Sequence, residues 1–366
     1  MEGYSIEIAK ESDDFDLREI LRNTKMQGDI SLSFETEPSF FNAISILGEK
    51  QTVLSIRDIQ KNKIIGFLIR SVKNVYINQK IVKVGYLSSI RLLEGYRGGR
   101  LLIKGNKELK KLLGNSTEKI NFTTIIKDNI YAQKVISKSR VGLPDYNKIG
   151  VNKTFAIKPC NSTRYKNLND ITIQKGIDGF SIERVVSFIN EIGKKKNFFP
   201  VITKDLIENN CLKDFSKDDF FIAHKNNKIL GIVGCWDQSK FKKSVVKGLS
   251  KKYKLLRLFN NYFLTHFLNT PTIPNVKQNI NAFYLNLIVV KENDHDVFSC
   301  IIDFISKYYS NKNYNYFLIG IDENDPLCHS MKNFRCFTYD AIVYLVDYST
   351  KIKIEDKIKY LEISRL

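Results

Sequence analysis

The chain has 366 residues, 43% of them hydrophobic, enough to bury a substantial core and more than one domain usually holds. Its formal net charge of +19 favours an anionic partner, whether nucleic acid, a membrane surface or a phosphorylated cofactor, although a lysine-rich composition from a biased genome gives the same excess. Six cysteines with no CxxC pair and only four histidines argue against a metal site and against a disulfide framework, and for buried free thiols in a reducing compartment. The opening MEGYSIEIAKESDD lacks the charged start and apolar run of a signal peptide. No later segment has about 18 uninterrupted apolar residues, so the expectation is a soluble, cytoplasmic protein without a transmembrane segment.

Tyr4 to Ala9 alternates as a strand, and Ser12-Asp13-Asp14 precedes a helix whose apolar face includes Phe15, Leu17, Ile20 and Leu21. A polar and aromatic connection follows, containing Glu35, Glu37, Phe40 and Phe41. Thr52 to Ile59, Ile64 to Ser71 and Val82 to Leu93 read as an antiparallel meander, with turns at Lys61-Asn62-Lys63 and Asn78-Gln79. A turn rich in glycine and arginine leads to a helix with Leu101, Leu102, Leu109, Leu112 and Leu113 on one face. Asn121 to Ile126 is then a buried strand, and the crossover makes it parallel to Val82 to Leu93. Asn129 to Ser137 reads as a helix and Val151 to Ile157 as a closing strand.

The polar stretch 159–170 is the natural linker, dividing the chain into residues 1–158 and 171–349, with a tail over 350–366. Beyond it the order recurs: a strand at Ile171 to Gln174, a helix at Ser181 to Gly193, and a hairpin of Phe220 to His224 with Ile229 to Trp236. Phe283 to Val290, a helix at Val297 to Tyr309, Tyr314 to Ile321, a helix near Leu327 to Lys332 and Thr338 to Val346 complete it. Two halves of ordinary domain size favour two sheets over one large one. Residues 238–281 form an insertion without a counterpart in the first half. There Lys240, Lys242, Lys243, Lys247, Lys251, Lys252, Lys254 and Arg257 occur with no intervening acid. Its functional reading is an anion-attracting lid, or a contact for a nucleic acid such as tRNA, for another polyanion or for a membrane. The competing expectation is an amphipathic helix whose leucines pack on the domain while its lysines are solvated.

The stretch most informative about chemistry runs from Gly85 to Leu113: an apolar strand, the turn Tyr96-Arg97-Gly98-Gly99-Arg100, then a helix. Glycines allow close backbone approach, the helix N-terminus adds partial positive charge, and two arginines supply charge-assisted hydrogen bonds, so the turn suits a phosphate. With Leu87, Ile90 and Leu92 at its apolar positions, this element resembles motif A of the GNAT superfamily of acyl-CoA N-acyltransferases, and Asn129-Ile130-Tyr131-Ala132 is similar to a second element of that family. The resemblance covers roughly residues 4 to 158. It implies an α/β (α+β) fold with a mixed, mostly antiparallel central sheet flanked by helices. It also implies acyl-CoA, most simply acetyl-CoA, as donor, with no metal. Leu92 and Leu93 would border the pantetheine arm, Arg97, Gly98, Gly99, Arg100 and Leu101 the phosphates, and Asn129 the second element.

The sequence departs from the family pattern in having Arg100 and Leu102 where small residues are expected, and Ile136 where a tyrosine often protonates the thiolate. Candidate catalytic residues are therefore Glu35 and Glu37 as bases through water, Ser88 with Ser89 to orient the amine, and Tyr131 as a substitute acid. The second half resembles a degenerate GNAT domain. Its turn Lys291-Glu292-Asn293-Asp294-His295-Asp296 has no glycine and carries three carboxylates, so it is assigned to acceptor recognition or support. The leading expectation is an N-acyltransferase, most simply an N-acetyltransferase, acting on a small-molecule or peptide amine. The alternatives are a Fem-type transferase using aminoacyl-tRNA, and a non-catalytic protein that holds an acidic partner through the basic insertion.

Overall fold

The computed structural model describes residues 3–96, 99–114, 118, 120–136, 143–161, 170–268, 270–348 and 354–366; for Gly99, Arg100 and Ile136 it describes the backbone alone. The first half runs β1 (Tyr4–Ile8), α1 (Asp14–Asn23), β2 (Ile30–Thr36), α2 (Phe40–Ile44), β3 (Lys50–Asp58), β4 (Lys63–Ile77), β5 (Lys80–Leu92), α3 (Gly99–Gly114), β6 (Ile120–Ile126), α4 (Ile130–Ile136) and β7 (Asp145–Ile157). The second runs β8 (Thr172–Lys175), α5 (Ile182–Gly193), α6 (Lys204–Glu208), β9 (Phe220–Lys225), β10 (Lys228–Asp237), β11 (Lys242–Leu249), α7 (Lys251–Phe259), α8 (Thr265–Leu268), β12 (Asn279–Ile280), β13 (Ala282–Val290), α9 (His295–Tyr308), β14 (Tyr316–Asp322) and β15 (Cys336–Asp347).

Local chemistry explains most of these boundaries. The β4–β5 and β9–β10 hairpins turn on Asn78-Gln79 and Asn226-Asn227, all four at positive φ, as tight two-residue turns require. Leu17, Ile20 and Leu21 put one face of α1 into the core, and Val185, Ile189 and Ile192 do the same for α5. Ser181 caps α5 by accepting a hydrogen bond from Arg184 N.

Twelve strands form one sheet in the order β1-β3-β4-β5-β6-β15-β7-β14-β13-β10-β9-β8. Its pairs are antiparallel except β5 with β6 and β13 with β14, one parallel pair in each half. The expectation of separate sheets is corrected here: β15 of the second half inserts between β6 and β7 of the first, and β7 also lies against β14. The physical reason is the strand edges. Two separate sheets would each leave a long apolar edge open at the centre, and the exchange pairs both.

Two further expectations change. Residues 30–36, read as a connection, are a strand that joins β11 and β12 in a small second sheet. The strand was hidden because two of its polar residues, Ser33 and Thr36, are buried while Phe34 is exposed, which is not the apolar-in, polar-out alternation that marks a strand. Residues 354–366, read as a tail, are threaded through the molecule: Tyr360, Leu361, Glu362, Ser364 and Arg365 are all buried.

Candidate active site

The two parallel strands part company early. β5 pairs with β6 only through Val84–Ile120, Gly85–Asn121 and Tyr86–Phe122, after which β6 continues against β15 and β5 continues to Leu92. On its other side β5 slips register against β4, between Ile69–Ser88 and Phe67–Arg91. Ser89 and Ile90 therefore have no ladder partner on either strand, and Ser89 has φ of 51°. A bulge of this kind turns peptide N–H groups out of the ladder, toward the space where the sheet splays. Beside it, the buried Ser88 Oγ has no hydrogen-bond partner.

A cavity of about 70 Å³ adjoins the bulge, between the sheet and α3. Leu54, Phe67, Leu87, Ile90 and Leu102 are among its apolar walls, and Arg91 supplies the cation. Arg91 Nε is buried without a partner, and burial lowers the guanidinium pKa to about 10. Among the sequence-derived donor residues, Leu101 lines the same cavity, as does Leu92. Leu92 covers Gly66, and the amide of Leu93 donates to Ile65 O at 2.9 Å, so both are locked against β4. Tyr96 fixes the entry to the glycine turn: its hydroxyl donates to Asp58 Oδ2 (3.1 Å) and accepts from Lys61 Nζ (2.9 Å). Arg97 and Gly98 lie outside the described residues. Gly99 and Arg100 begin α3. Asn129 Oδ1 accepts from Ala132 N at 3.1 Å, which makes the Asn-x-x-Ala element the cap of α4.

Lys73 is not singled out by any sequence signal, and Ser71 only as the end of a strand. Register and alternation put Lys73, Ser71, Tyr86 and Ser88 on one face of β4 and β5. Lys73 Nζ lies 5.1 Å from the Tyr86 ring centroid and 5.5 Å from that of Phe122. Segment 354–366 covers this face, with Leu361 in the same cluster as Val84, Tyr86 and Phe122. Lys242 and Arg365 add positive charge there and Glu362 the opposing carboxylate. Burial, reinforced by Arg365 and Lys242, lowers the Lys73 pKa to about 7, and burial followed by Arg365 lowers that of Lys242 to about 8. A lysine that sheds its proton near neutral pH is chemically a base.

The second half repeats the arrangement and closes it. β13 pairs with β14 through Ala282–Tyr316, Phe283–Phe317 and Tyr284–Leu318, then slips against β10, with Leu287 at φ of 51°. Here the amides are occupied. Leu287 N donates to Glu362 Oε2 and Ile288 N to the Tyr360 hydroxyl, each at 3.0 Å. The start of α9 is occupied too, because Asp294 Oδ1 accepts from Asp296 N (2.9 Å) and Val297 N (3.0 Å).

The remaining sequence candidates sit apart from the bulge. Glu37 is held by two arginines, with Arg18 Nη1 at 2.8 Å on one oxygen and Arg22 Nε at 3.0 Å on the other. Glu35 accepts from Ser33 Oγ (2.7 Å) and pairs with Lys247 Nζ (3.0 Å). Both border a shallow depression with Arg22, Lys240 and Lys243 that shares no residue with the cavity at β5. Tyr131 is 62% exposed on α4. None of the six cysteines is in a disulfide, and no group of three or more His, Cys, Asp and Glu side chains among the described residues is placed to hold a metal ion. Among the described residues no helix is long and apolar enough to cross a membrane.

No protein-family model matches the sequence, nor does any curated protein. Solved structures do match it. Saccharomyces cerevisiae N-myristoyltransferase with bound myristoyl-CoA is 11% identical, with 100% of this chain and 88% of that one covered at a TM-score of 0.60. A GCN5-related N-acetyltransferase from Sphaerobacter thermophilus is 8% identical, with 97% and 98% covered at a TM-score of 0.61. At such identities the likeness is one of backbone, and it spans both halves. The chain has the GNAT fold over its length, a large, mostly antiparallel mixed sheet flanked by helices.

Proposed function

We propose that the protein is an acyl-CoA-dependent N-acyltransferase in which residues 1–158 hold the donor and residues 171–349 complete the acceptor side. The observation that carries this reading is the contrast between two equivalent bulges: that of β5 has no ladder partner at Ser89 and Ile90, whereas that of β13 is filled by Tyr360 and Glu362. A fold with two such positions and one open has one donor site. The donors fit what surrounds it. The apolar cavity would take the acyl group, with Arg91 Nε in its wall and Ser88 Oγ beside the bulge, each without a partner, as the donors offered to the pantetheine arm. Arg97, Gly98, Gly99, Arg100 and Leu101 hold the phosphates, as the glycine turn suggests. The myristoyl-CoA bound to the yeast neighbour, and the N-acetyltransferase class of the bacterial one, support this choice of donor.

In the reaction a neutral amine attacks the thioester carbonyl. The amides of Ser89 and Ile90 stabilise the oxygen as it becomes negative, the C–S bond breaks, and the proton lost by the amine is returned to the thiolate. Lys73 lies opposite Val84, four residues along β5 from Ser88, so it does not touch the acceptor amine and acts on the site only as a buried, near-neutral amine on the same sheet face. Glu37 and Glu35, already paired, shape the depression beside β2 instead. An acyl-CoA donor and cysteines in no disulfide fit a cytoplasmic setting.

The test is thiol release from a donor series running from acetyl-CoA to myristoyl-CoA, with amines and peptides as acceptors, together with calorimetry of each donor. Saturable binding of one donor per chain and amine-dependent release are expected. Failure of every donor to bind would remove the reading.

A further inference from the structure

Residues 251–268 form one helical rod: α7, a wider π turn over Asn260–Leu264, and α8. The side facing the protein is anchored by polar groups and one aromatic contact: the buried Asn260 donates to Pro271 O at 2.9 Å, Asn261 both donates to Ile273 O (2.8 Å) and accepts from Ile273 N (2.7 Å), and the Tyr253 ring centroid lies 6.4 Å from that of Phe337. The side facing solvent is apolar. Leu255 is 80% exposed, Leu258 72%, Tyr262 76% and Phe267 73%, and Phe259 and Phe263 stand exposed beside each other with ring centroids 5.5 Å apart. This corrects the expectation that the leucines pack on the domain. Held in place by its asparagines, the rod presents large apolar side chains outward on purpose-built backing.

Charge decides what medium they meet. Lys251, Lys252 and Lys254 stand exposed at the first turn of α7, where the helix dipole disfavours cations. From Gln238 to Lys291 the sequence contains no aspartate or glutamate. A nucleic acid would satisfy the lysines but not six large apolar side chains, and an acidic protein partner would leave the same mismatch. An anionic lipid surface satisfies both. We propose that the 251–268 helix docks the protein onto such a surface, lying in the interfacial plane with Leu255, Leu258, Tyr262 and Phe267 at the acyl boundary and the first-turn lysines among the headgroups. This proposal stands independently of the catalytic reading.

Vesicle flotation of the full chain tests it, using phosphatidylcholine vesicles with and without phosphatidylserine. The wild type is expected to float with the mixed vesicles. Two variants are expected to lower its partitioning about tenfold or more: Leu255→Ser/Leu258→Ser/Phe267→Ser, and Lys251→Glu/Lys252→Glu/Lys254→Glu. Circular dichroism confirms that each is folded, and the single change Tyr262→Ser, expected to weaken partitioning in the same direction, replaces the triple variant if that one is not. No flotation of the wild type overturns the proposal. Binding lost on lysine reversal but retained in the apolar variant overturns it as well, because that pattern is adsorption of a cationic chain. So does a dimer that the apolar variant dissolves without any vesicle binding, since the face would then belong to a second copy.

Discussion

Ser89 carries more of the proposed chemistry than any residue that a motif singles out. The positive φ at Ser89 marks the bulge that leaves Ser89 and Ile90 without ladder partners, and the proposal uses the Ile90 amide. Replacing Ile90 by proline deletes that N–H while leaving the apolar wall of the cavity largely in place. The expected result is a loss of about 100-fold in kcat, the usual cost of one oxyanion donor, with donor affinity by calorimetry changed far less. Equal losses in affinity and turnover would show that the amide holds the ground state and not the transition state.

Lys73 gives a prediction in pH. Below about pH 7 both folded and unfolded chains carry its proton; between there and the ordinary lysine value only the unfolded chain does. Unfolding free energy therefore rises with pH across that window, by up to ~1.4 kcal/mol per unit. Lys242 adds a slope of the same sign above about pH 8, while Glu362, whose pKa is raised by burial, acts on the acid side. Lys73→Met removes the first slope alone. Urea melts are expected to show the variant more stable than wild type at pH 6 and to show that gain shrinking toward pH 9. Parallel profiles would mean that Lys73 does not titrate in the folded chain.

At the scale of elements, the register of β4 against β5 positions the bulge, and Gly66 sets that register. A Cβ at position 66 would lie 2.6 Å from Arg91 O and 2.7 Å from Leu92 Cδ1. Gly66→Ala must therefore push β5 outward. The expected cost is about 1–3 kcal/mol of stability, read by thermal melts, together with weaker donor binding; a variant that melts like the wild type would show that the strand gives way freely.

The elements themselves were legible because their signals are local. Val82, Val84 and Tyr86 alternate, Asn78-Gln79 and Asn226-Asn227 mark tight turns, and the leucines of α3 share a face. The site was legible only in outline. Nothing about a serine at 89 or a leucine at 287 announces positive φ, which glycine or asparagine would have done. Lys73 reads as a solvent-facing residue until segment 354–366 is laid over it, and the bonds from Leu287 and Ile288 to Glu362 and Tyr360 join residues more than seventy positions apart. Inverted burial hid β2, and the outward leucines of α7 read as core because their spacing is helical either way.

For the whole molecule, the exchange of β15 and β7 makes the two halves one folding unit. Residues 1–158 by themselves would lack β15, which pairs with β6 over Ala341–Leu345 and with β7 over Cys336–Asp347. They would also lack Leu361, which packs against Val84 and Phe122. A fragment so cut exposes two apolar strand edges at the centre of its sheet and uncovers the face that bears Lys73. Intact chain is therefore expected to unfold in a single calorimetric transition whose enthalpy equals the van't Hoff value. The 1–158 fragment, expressed separately, is expected to give no cooperative melt, and co-expression with 171–366 is expected to restore one, because the missing strand can be supplied from a separate chain. Two resolved transitions in the intact protein, or a cooperative melt of the fragment by itself, would mean that each half closes its own sheet in solution; the donor site would then have to be argued from the first half without the segment that buries Lys73.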